Sequence, residues 1–210
     1  MSKSKNILVL APHTDDGELG CGASIAKYVE EGNNVFYAAF STAKESLPEG
    51  MPDDQLEKEV KEATKRLGIP ANNLLIYGFL VRKLSYYRQE LLEELVKLKR
   101  EIAPDLVLMP TTNDLHQDHY TVAIEGLRAF KQTSILAYEL PWNNITFNTQ
   151  AFIKLEKKHI EKKIYALDAY NSQKKRSYLN SEFIFGLAKT RGVQINAEYA
   201  EAFEVIRWII

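Results

Sequence analysis

Cysteine is almost absent from this chain. Cys21 is the only one in 210 residues, which excludes an internal disulfide framework and suits a reducing compartment. No apolar run approaches the roughly 20 residues that a membrane-spanning helix needs. The first six residues are polar and lead directly into an apolar stretch, so no secretory leader is expected. An excess of positive charge is also missing. Lys and Arg number 27 against 28 Asp and Glu, so no overall basic field favours nucleic acid or an anionic membrane. The local run Lys174-Lys175-Arg176 reads as solvated surface. A cytoplasmic protein acting on small molecules is expected, with self-association left open. Internal repeats, low-complexity tracts and linkers are lacking as well. One domain over residues 1–210 is therefore expected, long enough for a sizeable core.

What is present alternates between strand and helix patterns. Strands are expected at Asn6 to Ala11, Asn34 to Ser41, Asn73 to Tyr77, Leu106 to Met109 and Ser134 to Glu139. Helices are expected at Leu19 to Glu31, Asp53 to Leu67, Ser85 to Ile102 and His119 to Phe130. Such alternation argues for an α/β fold with a parallel sheet covered on both faces. After Pro141 the pattern weakens. Asn143 to Gln150 reads as a loop or hairpin, Glu156 to Asn171 and Glu182 to Arg191 as helices, and Glu201 to Ile210 as a last strand.

Three of the four histidines lie in two short acidic clusters, each directly after a strand pattern. The first is Pro12-His13-Thr14-Asp15-Asp16; the second is Asp114-Leu115-His116-Gln117-Asp118-His119. Open α/β sheets place their chemistry in loops at the carboxyl ends of strands. Two such loops can supply three ligands to one zinc ion: His13 and Asp16 from the first, His119 from the second. Asp15, between two ligands, is placed to act as general base. His116 can protonate a leaving group or stabilise an oxyanion, with Asp118 holding its ring. Together these parts describe metal-assisted hydrolysis of an amide or ester. Alone, either cluster reads equally well as structure, with Asp15 or Asp16 merely capping the next helix. Asp114 is a candidate for binding a sugar hydroxyl at the mouth, and His159, in a Lys/Glu-rich helix, reads as surface.

Gly17, Gly20 and Gly22 raise a rival reading, a pyrophosphate-binding turn. Their order is G-x-x-G-x-G and not G-x-G-x-x-G, and close packing of helix on sheet suffices to explain them. Cys21 reads as a small buried residue.

At these residues the sequence resembles the LmbE-like (PIG-L) N-acetylglucosaminyl deacetylase family. The resemblance lies in His13-Thr14-Asp15-Asp16-Gly17-Glu18 leading into Gly20 and Gly22, and in His116-Gln117-Asp118-His119 after Pro104-Asp105 and a strand. It continues in Ala166-Leu167 through Ser172-Gln173, Arg191-Gly192, and Tyr199-Ala200-Glu201-Ala202-Phe203. It implies a single-domain Rossmann-like three-layer sandwich with a mostly parallel sheet. It also implies one zinc ion on His13, Asp16 and His119, with Asp15 as base, His116 as acid or electrostatic catalyst, and Asp118 orienting His116. The reaction implied is removal of an acetyl group from an N-acetyl sugar or conjugate. Arg191 matches a family position near the active site and is expected to hold sugar hydroxyls or an anionic aglycone. Thr14 stands where the family has Pro, and Gly17-Glu18 where it has Glu.

Two other readings are compatible with the residues: a metal-dependent hydrolase of another amide or ester, and a sugar- or nucleotide-binding Rossmann module without catalysis. Intact Asp15 and His116 argue against the second, since binding needs neither. Finally, Ser41 to Pro52 lacks periodicity and is expected to form a mobile rim over the pocket, with Lys44 and Glu45 facing the substrate.

Overall fold

The computed structural model describes residues 4–210. Seven strands form one sheet: β1 (Asn6–His13), β2 (Asn34–Ser41), β3 (Leu74–Ile76), β4 (Leu106–Pro110), β5 (Ser134–Tyr138), β6 (Ala151–Leu155) and β7 (Tyr199–Arg207). Their spatial order is β3-β2-β1-β4-β5-β7-β6. The first five are parallel; β7 runs antiparallel to β5, and β6 antiparallel to β7. Six α-helices complete the layers: α1 (Asp16–Glu30), α2 (Gln55–Leu67), α3 (Arg88–Ile102), α4 (Gln117–Ala129), α5 (Lys157–Leu167) and α6 (Ser181–Val193). This is the α/β sandwich with a mostly parallel sheet that the strand–helix alternation predicts. Among the described residues, no helix is long and apolar enough to cross a membrane.

Both faces of β1 are apolar because both are covered. Ile7, Val9 and Ala11 join a core with α1, α2, α5 and α6. Leu8 and Leu10 join a second core with Leu91, Leu95 and Leu98 of α3 and Val122 of α4. Alternate side chains of a strand point to opposite faces, so an unbroken apolar run signals a central strand. In the chain, β1 connects to β2 on one side, while β4 pairs with its other side. The strand order therefore reverses between β1 and β4, and a crevice opens at their carboxyl ends.

The sequence pattern missed β6. It is a short edge strand with mostly half-buried residues, and its partner β7 lies more than forty residues away. Edge strands carry weak alternation, so only the tertiary pairing defines it. The long helix expected from Ser85 begins as a short 3-10 turn (Leu84–Tyr87) before α3. The Leu84 N–H is drawn to the Asp118 carboxylate, which ties down that first turn. Gly68 ends α2 in the left-handed conformation, φ +93°, which glycine adopts without strain.

Close packing explains the glycines of the first cluster. A Cβ on Gly17 would lie 2.5 Å from the Tyr37 ring, and one on Gly20 would overlap the Tyr138 ring. Gly20→Ala is therefore expected to cost about 1–3 kcal/mol by overpacking, measured as a lower urea midpoint. Gly186→Ala is the control. Nothing lies within 4 Å of its added Cβ, and inside α6 the exchange should be neutral or stabilising by up to about 1 kcal/mol.

Candidate metal centre

The crevice brings both clusters together. β1 ends at His13, and the turn after it starts α1 with Asp16 in the first helical position. The second cluster follows β4 and starts α4, with His116 as its N-cap. Three atoms converge from these two loops. His13 Nδ1 lies 3.1 Å and His119 Nε2 3.2 Å from Asp16 Oδ2, and the two ring nitrogens are 3.2 Å apart. Four-coordinate bonds of about 2.0 Å put neighbouring ligand atoms about 3.3 Å apart. The triangle therefore has the dimensions of one face of a tetrahedral zinc site.

The outer nitrogens of the two rings are already engaged. His13 Nε2 lies 3.0 Å from Asp118 Oδ2, and His119 Nδ1 2.9 Å from Asp114 Oδ2. Each carboxylate accepts from that nitrogen and leaves the other ring nitrogen facing inward, as outer carboxylates do at metal-binding histidines. Asp118 is itself fixed by the N–H groups of Leu84 and Arg82. Arg82 takes a left-handed backbone, φ +63°, to aim its N–H there, a local strain of the kind found at functional sites.

The electrostatics follow from this crowding. Burial draws the His13 imidazole down, but the Asp16 charge and the bonds to Asp118 and Asp16 override it, and its pKa rises to about 9. At His119 burial is likewise overridden by the Asp16 charge and the Asp114 bond, raising it to about 10. The carboxylates around the two rings thus favour their protonated forms. Burial and the neighbouring Asp16 charge lift Asp15 to about 6. The Asp15 side chain does not cap α1; it lines the cleft. Burial, with the His119 and His13 charges, lowers His116 to about 4. His116 Nδ1 accepts the Asp118 N–H, so a neutral ring carries its proton on Nε2. The three histidines can also be grouped as a ligand set, their nearest ring nitrogens all within 4.8 Å. The Asp16 triangle is the tighter of the two groupings.

A cleft of about 260 Å³ opens over these groups, walled by Trp142, Asn143, Gln173, Arg176 and Tyr178 and, from the rim loop, Ala43 and Ser46. The family model described as PIG-L, GlcNAc-PI de-N-acetylase, matches residues 8–130, more than half of the chain. The chain belongs to the PIG-L family. The Escherichia coli (strain K12) protein named uncharacterized deacetylase YaiS is 29% identical over 179 residues, covering 81% of this chain and 93% of that protein. Diacetylchitobiose deacetylase of Thermococcus kodakarensis is 29% identical over 134 residues, covering 60% of this chain and 49% of that larger protein. The crystal structure of the conserved protein TT1542 of Thermus thermophilus superposes with a TM-score of 0.82 at 25% identity, covering 98% of this chain and 96% of that one.

Several residues of this PIG-L protein stand elsewhere than the sequence suggested. The Asp118 carboxylate orients His13; only its backbone N–H touches His116. Asp114 is buried against His119, and its other oxygen accepts the His116 N–H at 2.8 Å. No free oxygen remains there for a sugar. Arg191 does not line the cleft. Its guanidinium grips Glu139 through two nitrogens and Gln194 through the third, because Glu139 is buried and needs a counter-charge. His159 is buried, not surface, 2.6 Å from Glu30. Arg176, read as solvated, is exposed but reaches the cleft wall. Lys44 and Glu45 line a neighbouring groove, although Ala43 and Ser46 of the same loop reach the cleft.

Sequence reasoning missed the aromatic wall. Trp142 follows β5, so the rule that loops after parallel strands carry chemistry could have found it. Tyr178 comes from an unpatterned stretch and is identified only by stacking on Trp142, ring centroids 3.9 Å apart and planes 8° from parallel. Burial and the Asp15 charge push its phenol up to about 12, so it faces the cleft as a neutral donor.

Zinc titration at pH 7 should release protons, since His13 and His119 must lose theirs to bind. Affinity should strengthen as pH rises toward 9–10, through the raised imidazole values of about 9 and about 10. Calorimetry in buffers of different ionisation heat measures both effects. Asp114→Asn and Asp118→Asn should each weaken zinc binding about 10- to 100-fold, by loosening the ligand rings.

Proposed function

We propose that this protein is a zinc-dependent N-deacetylase that hydrolyses the acetamido group of an N-acetylamino sugar or sugar conjugate and releases acetate. The observation that carries this reading is the inward triangle of His13 Nδ1, Asp16 Oδ2 and His119 Nε2 beside Asp15 and a neutral His116. Membership of a de-N-acetylase family supports it, as does similarity to a protein named diacetylchitobiose deacetylase.

A zinc ion on those three atoms would polarise the amide carbonyl and make a water more acidic. Asp15 takes the proton from the attacking water. Its pKa of about 6 leaves it ionised at neutral pH yet basic enough to accept that proton. The Nε2–H of His116 donates to the carbonyl oxygen as negative charge develops there. Asp15 then returns its proton to the departing amine nitrogen, so the products are acetate and a free amino sugar. The sugar ring rests on the Trp142–Tyr178 stack, whose flat apolar faces suit C–H groups of a pyranose. Gln173 and Arg176 form the polar far wall, where hydroxyls or a substituent are read. Ala43 and Ser46 bring the 41–52 loop to the same rim, which makes that loop a specificity element.

Acetate release from a panel of N-acetyl sugars and simple N-acetyl amides, with and without a metal chelator, tests the reading. Turnover of sugars that stops on chelation is expected. Equal turnover of non-sugar amides would reduce the protein to a general amidase, and chelator-resistant turnover would reject the metal. Asp15→Asn should lower kcat about 10²- to 10⁴-fold with zinc still bound. Loss of zinc with little loss of rate would make Asp15 a ligand instead. Trp142→Ala should raise KM for sugars about 2- to 10-fold, the worth of one aromatic contact of about 0.5–1.5 kcal/mol.

A further inference from the structure

Helix α1 is broken. Cys21 has φ −145° and ψ 23°, outside the helical region, so residues 16–20 form a short half-helix that carries Asp16, separate from residues 22–30. A break of this kind strips carbonyls before it and N–H groups after it of their helical partners. Two buried residues from distant elements meet those groups. Lys163 of α5 donates from Nζ to the Leu19 carbonyl at 2.6 Å. Glu201 of β7 accepts the Ala23 N–H at 3.2 Å, the Ser24 N–H at 2.7 Å and the Ser24 hydroxyl at 2.6 Å. The two side chains pair with each other at 2.8 Å, with Lys163 5% and Glu201 7% exposed.

We propose that Lys163 and Glu201 are positioning residues for the metal centre, which moor the half-helix so that Asp16 Oδ2 meets His13 and His119. The proposal rests on the metal-site reading above. Leu19 lies one turn beyond Asp16, so the carbonyl that Lys163 holds sets where that turn sits. At its other end the half-helix is tied by the Gly17 N–H to the Tyr37 hydroxyl at 3.1 Å, and by Glu18 to Tyr37 and Tyr170. Those ties fix its start; the Lys163–Glu201 pair fixes its end. A continuous helix would satisfy its own backbone and would need neither charge. A buried ion pair contributes little net stability compared with apolar residues of the same volume, so stability alone does not explain the pair.

The test is the double variant Lys163→Met with Glu201→Gln, which removes both charges together and leaves no lone buried charge. Zinc affinity is measured by competition with a chelating dye, ligand geometry by the visible spectrum of the cobalt(II)-loaded protein, and folding by circular dichroism. At least a tenfold rise in zinc Kd with a changed cobalt spectrum, in a folded protein, is expected. Gly22→Ala is the milder variant. Its added Cβ would lie 3.0 Å from Lys163 Cγ, and a rise in zinc Kd of about threefold with the fold intact is expected. Zinc Kd within twofold of the parent in both variants, whatever happens to Tm, overturns the positioning role while leaving the metal centre standing. A parent protein that binds no zinc overturns the metal centre and this inference with it.

Discussion

Everything at this centre depends on forcing three electron-rich atoms to within 3.2 Å of one another. Once both rings are neutral, two imidazole lone pairs and a carboxylate oxygen repel at that distance. They stay together because each is held from behind: His13 by Asp118, His119 by Asp114, and Asp16 by the His13 N–H and its half-helix. The carboxylates do more than hold the rings. The Asp16 charge, with the hydrogen bonds to Asp118 and Asp114, raises both imidazoles far above the ordinary value. A cation placed among the three atoms would relieve this repulsion.

The same constraint explains the division of labour among the polar residues. Asp114 and Asp118 are spent behind the histidines, so neither faces a substrate. Arg191 is spent on buried Glu139. The rest of the cleft is lined by Trp142, Tyr178, Gln173 and Arg176, of which Arg176 donates to the Gln173 side-chain oxygen. Asp15 also lines the cleft, its side chain not engaged in capping α1, which suits a proton carrier. Asp15 and Asp16 differ in chemistry although they are adjacent in sequence, because Asp16 meets two imidazoles and Asp15 meets the cleft.

Membership in the family and the placement of the two loops follow from local features: apolar runs that end in His and Asp, followed by helices. The same features made β1 and β4 readable as central strands. Gly17, where the chain departs from the family pattern, is accounted for only in three dimensions, while nothing in the structure explains the Thr14 side chain. The Thr14 carbonyl is approached by the Tyr37 and Tyr170 hydroxyls, and Gly17 packs directly on the Tyr37 ring. Glu18, lifted by burial to about 8, sits between the same two tyrosines.

The sequence by itself determined the α/β class, the two clusters and the residue types available to a metal, because these depend on local periodicity and on chemistry confined to a few neighbouring positions. Tertiary structure decided which carboxylate serves which ring, that Arg191 pairs with Glu139, that β6 exists, and that an aromatic pair walls the cleft. Those outcomes depend on distances between residues far apart in the chain, such as His13 and Asp118 or Lys163 and Leu19. A carboxylate's role is set by the partner that the fold brings within about 3 Å, and sequence spacing carries no record of that partner.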